Sequence, residues 1–277
     1  MIGLIDVGGG NRGAFGAGVL DYCLDHNIYF DYCIGVSAGS ANCVSYIARQ
    51  RRRNYRFYTK YNISKDAVSI RNRLKTHSVV DLDYIYSTIS NEGGLDPVDF
   101  KTFNNSMQKC IAVATDAISG KPVYFDKSYF HENQYGALAA SSNIPGINQA
   151  YCFEDNYYYD GGLSDPIPIK KAIKDGCDKV VVILTLPKTY CRSSQRDRRL
   201  SNLVIGYPKI KEAFINRAET YNAELKEILK MEKDGKVLII CPTVKPNMDT
   251  LGKNIEEITR VYNEGYSSAG IIKAFIR

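Results

Sequence analysis

An apolar run at residues 30–36 breaks into Gly35-Val36-Ser37-Ala38-Gly39, and a helix-like stretch follows at once. A G-x-S-x-G segment that closes a strand and opens a helix admits few folds, because the serine must reverse the chain within a single residue. Glycines on both sides keep side chains out of that turn. The hydroxyl of Ser37 is thereby lifted clear of the backbone at a helix N-terminus. The Ala38 amide is left free to point at the same spot.

Such a turn needs strands and helices in alternation around it, and the chain supplies them. Residues 2–7 read as a first strand, followed by a glycine-rich turn and a helix over about 13–26. Residues 30–36 form the second strand and 37–51 its helix. Residues 55–61 and 79–89 read as shorter helical or irregular pieces. Residues 110–116 and 122–126, joined by Ser119-Gly120-Lys121, spell an antiparallel hairpin. A helix at 135–142, a brief strand at 157–159 and a strong strand at 179–184 follow. After Pro187 come a polar loop, a helix at 210–232, a strand at 237–241 and two closing helices at 254–263 and 267–275. The expectation is an α/β fold, a three-layer sandwich around a mostly parallel central sheet. Residues 1–190 would form the catalytic core, and 191–277 a mostly helical extension packed on the same domain.

Composition narrows the class. With 44% apolar and 24% charged residues, the chain is outside the disordered classes. No apolar run approaches the ~20 residues of a membrane span. The strand-like run directly after Met1 leaves no basic segment or cleavage site, so a cytoplasmic, at most membrane-peripheral, protein is expected. The eight cysteines stand singly, with no C-x-x-C pair and no zinc-ligand spacing, which predicts reduced thiols and no metal. A net charge of +6 is too mild to argue for a nucleic-acid partner. It includes two basic clusters, Arg49, Arg51, Arg52, Arg53 and Arg56, and Arg192, Arg196, Arg198 and Arg199. Each reads as a solvated face or as a contact with an anionic membrane.

The first strand runs into Asp6-Val7-Gly8-Gly9-Gly10-Asn11-Arg12-Gly13. This loop fits G-x-G-x-x-G, but a dinucleotide site calls for an acidic residue after the second strand, where Gly35-Val36-Ser37 stands instead. A P-loop would need Gly-Lys-Ser/Thr, which is missing. Beside Ser37, the amides of Gly8, Gly9, Gly10 and Ala38 can form an oxyanion hole. A serine nucleophile also needs a base. His26, His77 and His131 all lack the late position that a hydrolase triad requires. Asp160-Gly161-Gly162 ends a short strand and offers a carboxylate, although alone it is equally a simple Asp-Gly turn.

The three motifs, in this order, resemble the patatin-like phospholipase family over roughly residues 3–172. The stretch Ala139-Ala140-Ser141-Ser142-Asn143-Ile144-Pro145 is similar to the family's Ala-Ser-x-x-x-Pro segment, and the run at 51–61 to its bacterial branch. The resemblance implies a Ser37–Asp160 dyad that hydrolyses acyl esters of lipids, as a phospholipase A or related lipid acyl hydrolase, without metal or cofactor. It implies that Gly9, Gly10 and Ala38 hold the oxyanion and that Arg12 braces the loop. Gly13, Gly35, Gly39, Gly161 and Gly162 would shape the motifs. Two other readings stay open: a carboxylesterase or thioesterase of soluble esters, and a regulatory protein that binds a nucleotide through the glycine loop.

Overall fold

The computed structural model describes residues 1–69 and 78–277, with the Arg196 side chain also outside the description. Eight strands make one sheet: β1 (Ile2–Asp6), β2 (Tyr32–Val36), β3 (Lys109–Asp116), β4 (Pro122–Phe125), β5 (Tyr151–Phe153), β6 (Asn156–Asp160), β7 (Lys179–Ile183) and β8 (Val237–Ile240). Hydrogen-bonded pairing runs β5-β6-β3-β2-β1-β7-β8, with β4 added to β3. β3, β2, β1, β7 and β8 are parallel, whereas β4 and β6 meet β3 antiparallel.

Alternate residues of the parallel strands feed two cores. Leu4, Cys33, Ala112 and Val181 pack on one face with α1 (Ala14–Asp25), α2 (Ala38–Ile47) and the helix Ile255–Ser268. Ile5, Ile34, Val113 and Val182 pack on the other, with Ile169 and with Tyr221, Leu225 and Ile228 of the long helix Pro208–Lys233. Strand side chains point alternately up and down. Continuous apolar strands covered on both sides therefore give the expected three-layer α/β sandwich.

Several local expectations change. The second helix stops at Ile47 rather than 51, where the chain turns through left-handed Arg49 and Arg52 (φ 59° and 60°). The polar loop after Pro187 contains a helix, Ser194–Ser201, whose residues are too polar to announce a buried face. Short helices at Phe100–Asn105 and Ile169–Lys174 and the strand β5 are also new. The closing segment is one helix to Ser268, followed by a 3-10 turn and Ile272–Ile276. Among the described residues no helix is long and apolar enough to cross a membrane.

The register around β3 positions the site. β4 pairs along 112–115, opposite β2 at Val113 and opposite β6 at Ala114 and Thr115. β2 and β6 therefore share the other edge of β3, approaching each other end to end. Val36 pairs with Val113 and Asp160 with Ala114, at consecutive positions.

Candidate active site

Ser37 sits between β2 and α2 with φ 55° and ψ −126°, a backbone conformation that costs a non-glycine residue energy. Close packing holds it there. A Cβ on Gly39 would lie 2.0 Å from the Asp6 carbonyl oxygen, and one on Gly35 2.3 Å from Ser40 Cα. The Ser37 carbonyl accepts from the Ser40 hydroxyl (2.6 Å), and its N–H donates to Ser141 Oγ (2.9 Å). Ser141 in turn donates to the Val113 carbonyl (2.6 Å). The Ala-Ser segment noticed in the sequence thus clamps the serine turn to the sheet.

The glycine loop lies directly against this turn. A Cβ on Gly8 would be 2.7 Å from Ser37 Cβ. Gly9 packs on Thr185, whose hydroxyl donates to the Gly8 carbonyl (3.0 Å), and Gly13 on the Tyr58 hydroxyl and Ala38. Gly10 has φ 56° and faces the Thr250 carbonyl. The N–H groups of Gly9, Gly10 and Ala38 make no hydrogen bond among the described residues. Behind the loop Asp6 is fully buried, and burial pushes its carboxyl up to about 7 against the hydrogen bond from Asn42 (2.9 Å).

Asp160 closes β6. Its N–H donates to the Asn143 carbonyl (2.7 Å), and its carbonyl accepts from Thr115 Oγ1 (2.9 Å). Gly162 N–H donates to its Oδ1 (2.8 Å). Gly161 packs so closely on the Val113 carbonyl that a Cβ would lie 2.2 Å away. Ser37 and Asp160 are both buried, at the ends of β2 and β6. Burial holds the Asp160 carboxyl above the usual carboxylate range, with Arg217, Ser37 and Gly162 pulling it partly back. A carboxylate raised in this way is a stronger proton acceptor than one in water.

Arg217 was invisible in the sequence. It comes from the middle of Pro208–Lys233, a lysine- and glutamate-rich helix that reads as solvated, and its Nε donates to the Gly162 carbonyl (2.7 Å). Burial, with Arg192 nearby, pushes its guanidinium down to about 10. The loop at 249–252 was equally unannounced. Asn11 N–H donates to the Thr250 carbonyl (2.8 Å), Asn11 Nδ2 to the Gly252 carbonyl (2.7 Å) and Arg12 Nη1 to Thr250 Oγ1 (3.3 Å). Arg12 Nε is buried without a hydrogen-bond partner among the described residues.

A small cavity of about 50 Å³ opens on Ser37, Ala38 and Gly10, with walls that include Phe57, Tyr58, Leu82, Ile85, Tyr86, Ile144 and Leu251. The two described histidines are engaged elsewhere. His26 stacks on Tyr22 and bonds to its carbonyl, His131 lies exposed in a turn with Gln134, and His77 is outside the described residues. The first basic cluster is not one uniform face. Arg53 is buried on Ser45, Ser90 and the Asp96 carbonyl, Arg56 and Arg51 pair with Asp96 and Asp25, and Arg49 stacks on Tyr29.

Fold and turn together define an α/β protein with a serine at a strained strand-to-helix elbow. The chain belongs to the patatin-like phospholipase family: that family's model matches residues 7–173, more than half of it. The family is one of lipid acyl hydrolases. A second model, a domain of unknown function (DUF6363), matches residues 207–270. The uncharacterized protein YjjU of Escherichia coli (strain K12) is 27% identical over 270 residues, covering 95% of this chain and 74% of that protein. The crystal structure of VipD from Legionella pneumophila superposes with a TM-score of 0.53 at 10% identity, over 99% of this chain and 66% of that one. At that identity the likeness speaks for the fold alone.

Proposed function

We propose that this protein hydrolyses acyl esters of lipids through a Ser37–Asp160 dyad, as a phospholipase A or related lipid acyl hydrolase. The observation that supports this is the shared edge of β3, where Val36 and Asp160 occupy consecutive registers, with Ser37 directly after Val36. Ser37 Oγ attacks the ester carbonyl while Asp160 takes its proton. The free amides of Gly9, Gly10 and Ala38 receive the oxyanion, and each such donor is typically worth ~2.7–4 kcal/mol. Asp160 returns the proton to the departing alcohol. Water, deprotonated by the same carboxylate, then attacks the acyl carbonyl, and Asp160 returns that proton to Ser37 Oγ as the acyl–oxygen bond breaks and the acid leaves.

The walls beside Ser37 are mainly apolar side chains, Phe57, Leu82, Ile85, Ile144 and Leu251 among them, which supports an apolar acyl group at the serine. Fluorophosphonate labelling followed by a panel of lipid and short soluble esters tests the reading. Label should fall on Ser37 alone, and Ser37→Ala should lose both label and turnover while remaining folded. Label on another serine overturns it, and turnover confined to short esters moves the protein to the carboxylesterases.

A further inference from the structure

Most large apolar side chains exposed on this chain stand alone along the sequence, as surface apolar residues commonly do. Leu203 and Ile205 do not. They are 52% and 85% exposed on the loop between the helix Ser194–Ser201 and the long helix, in a stretch outside both family matches. Val204 between them points inward, into a small core with Ala117, Tyr159, Leu163, Ile210 and Phe214. The same core brings two more exposed apolar residues to this face. Ala117 leads directly to Ile118, 70% exposed at the tip of the β3–β4 hairpin. Tyr157, also exposed, lies on the same side of β6 as Tyr159, and its carbonyl accepts from the Ala117 N–H (2.8 Å).

Close contacts join these loops to one another and to the site. A Cβ on Gly120 would lie 2.9 Å from the Lys209 carbonyl oxygen, and one on Gly146 3.1 Å from Leu203 Cβ. Gly146 follows shortly after Ile144, a wall of the cavity at Ser37. The hairpin tip continues from the carboxyl end of β3, and Ser37 from that of the neighbouring parallel strand β2. The apolar face and the serine therefore share one edge of the sheet.

The rim of this face is basic. Lys121, Arg198, Arg199, Lys209 and Lys211 are exposed on its segments, which carry only Asp116 and Glu212 as acids. Glu212 pairs with Lys209, and Asp116 holds the Ser119 turn. Lys121, Arg198, Arg199 and Lys211 make no ion pair among the described residues, whereas Arg192 of the same basic cluster turns inward onto Asp197. Apolar side chains exposed together and rimmed by polar residues mark a contact surface. Lysines are depleted at protein interfaces but are drawn to anionic lipid, so this rim fits a membrane better than a protein.

We propose that this face docks on an anionic bilayer, with Ile118, Leu203 and Ile205 entering the headgroup boundary and the arginines and lysines meeting lipid charge, so that the sheet edge carrying Ser37 is turned to the membrane. That the contact delivers lipid to Ser37 rests on the proposed acyl hydrolase activity. The docking itself does not.

The test uses the full chain. Ser37→Ala, which cannot consume lipid, is sedimented with vesicles of phosphatidylcholine alone and of phosphatidylcholine and phosphatidylglycerol in equal parts. It should bind the mixed vesicles more tightly, and less so in high salt. Adding Leu203→Ser and Ile205→Ser should weaken that binding at least ~10-fold. Adding Arg198→Gln and Arg199→Gln instead should cut the preference for anionic vesicles at least ~10-fold. With Ser37 in place, both double variants should keep their Tm and lower turnover of vesicle lipid relative to a short soluble ester. Binding that is absent, equal for the two vesicles or unchanged in both double variants overturns the proposal. So does a parent chain that sediments as a dimer and is made monomeric by the Leu203 and Ile205 changes, since a second copy then covers the face. If no ester is turned over, the proposed function fails, and the sedimentation still decides the docking.

Discussion

Ser37 and Arg217 converge on the Asp160–Gly162 turn by different means, one from each part of the chain. In the segment up to residue 173 the site is built from backbone: a left-handed serine, glycines pressed against carbonyls, and amides left free. In the segment beyond it the contribution is side chains and one covering loop, brought in by helix and sheet packing. Backbone construction needs particular residues at particular spacings, so it leaves motifs. Side chains delivered from a distance leave none, because an arginine on a polar helix looks the same whether it faces water or a buried carboxyl.

The first way to break this contrast is to put a side chain where backbone contact is tightest. Gly39→Ala places a methyl 2.0 Å from the Asp6 carbonyl oxygen, a backbone atom at the core of the sheet that cannot swing aside. Overpacking of this kind should cost about 3 kcal/mol or more and lower Tm accordingly. An alanine variant as stable as the parent, by thermal melting, means that the turn has slack and that glycine there is incidental.

Next in size is the carboxylate. Asp160→Asn keeps the hydrogen bond from Gly162 but removes the proton acceptor, so turnover should fall at least ~100-fold, the lower range for positioned acid–base catalysis. A variant with His26, His77 and His131 all changed to alanine should retain turnover. A folded but inactive triple variant beside an active Asp160→Asn would reverse the assignment of the base.

What the sequence disclosed follows the same division. The parallel strands were legible because apolar runs bounded by turns have few other solutions, whereas the three-residue β5 was not, and the elbow, the glycine loop and the Ala-Ser clamp were legible because each requires small residues in order. The Ser194–Ser201 helix was not, since Leu200 is the one apolar residue among its eight, and it is held by Asp197 buried on Arg192 and by Leu200 packed on the core with Ile210 and Phe214. The arginines at 49–56 looked like one basic face in composition, yet Arg53 is buried while Arg51 is half exposed. Charge type is written in the sequence; the partner of each charge is set by tertiary packing.

One buried pair joins the two segments and sharpens the contrast through pH. Asp165, just after the Asp160 turn, and Glu224, on the long helix, face each other out of water, and Tyr124 OH donates to Asp165 (2.6 Å) while Ile167 N–H donates to Glu224 (2.7 Å). Burial, then the neighbouring Asp165, raises the Glu224 carboxyl to about 9. A pKa raised by folding contributes stability that is complete below the unfolded value, near 4.5, and is lost as pH rises toward and through the folded one. The parent protein should therefore lose stability between about pH 5 and 9. Glu224→Gln mimics the protonated acid, can still accept from Ile167, and should flatten the part of that slope due to Glu224 while Asp6 and Asp160 keep theirs, gaining at least ~1 kcal/mol at pH 8. Parallel Tm–pH curves for the two proteins would show that the pair bears no shared proton.

The smallest expected effect concerns the covering loop. Thr250 touches the glycine loop twice, once through its carbonyl on Asn11 N–H at 2.8 Å and once through its hydroxyl on Arg12 at 3.3 Å. Thr250→Val preserves the branched shape and the carbonyl bond, and Asn11 still reaches the Gly252 carbonyl. Only the longer, weaker bond is lost, so stability should fall by no more than ~1 kcal/mol and kcat by a few-fold. A loss beyond ~10-fold in kcat at unchanged Tm would mean that the direction of Arg12, rather than the backbone bonds, sets the glycine loop. In that case the later segment governs even the part of the site that the earlier segment makes from its own main chain.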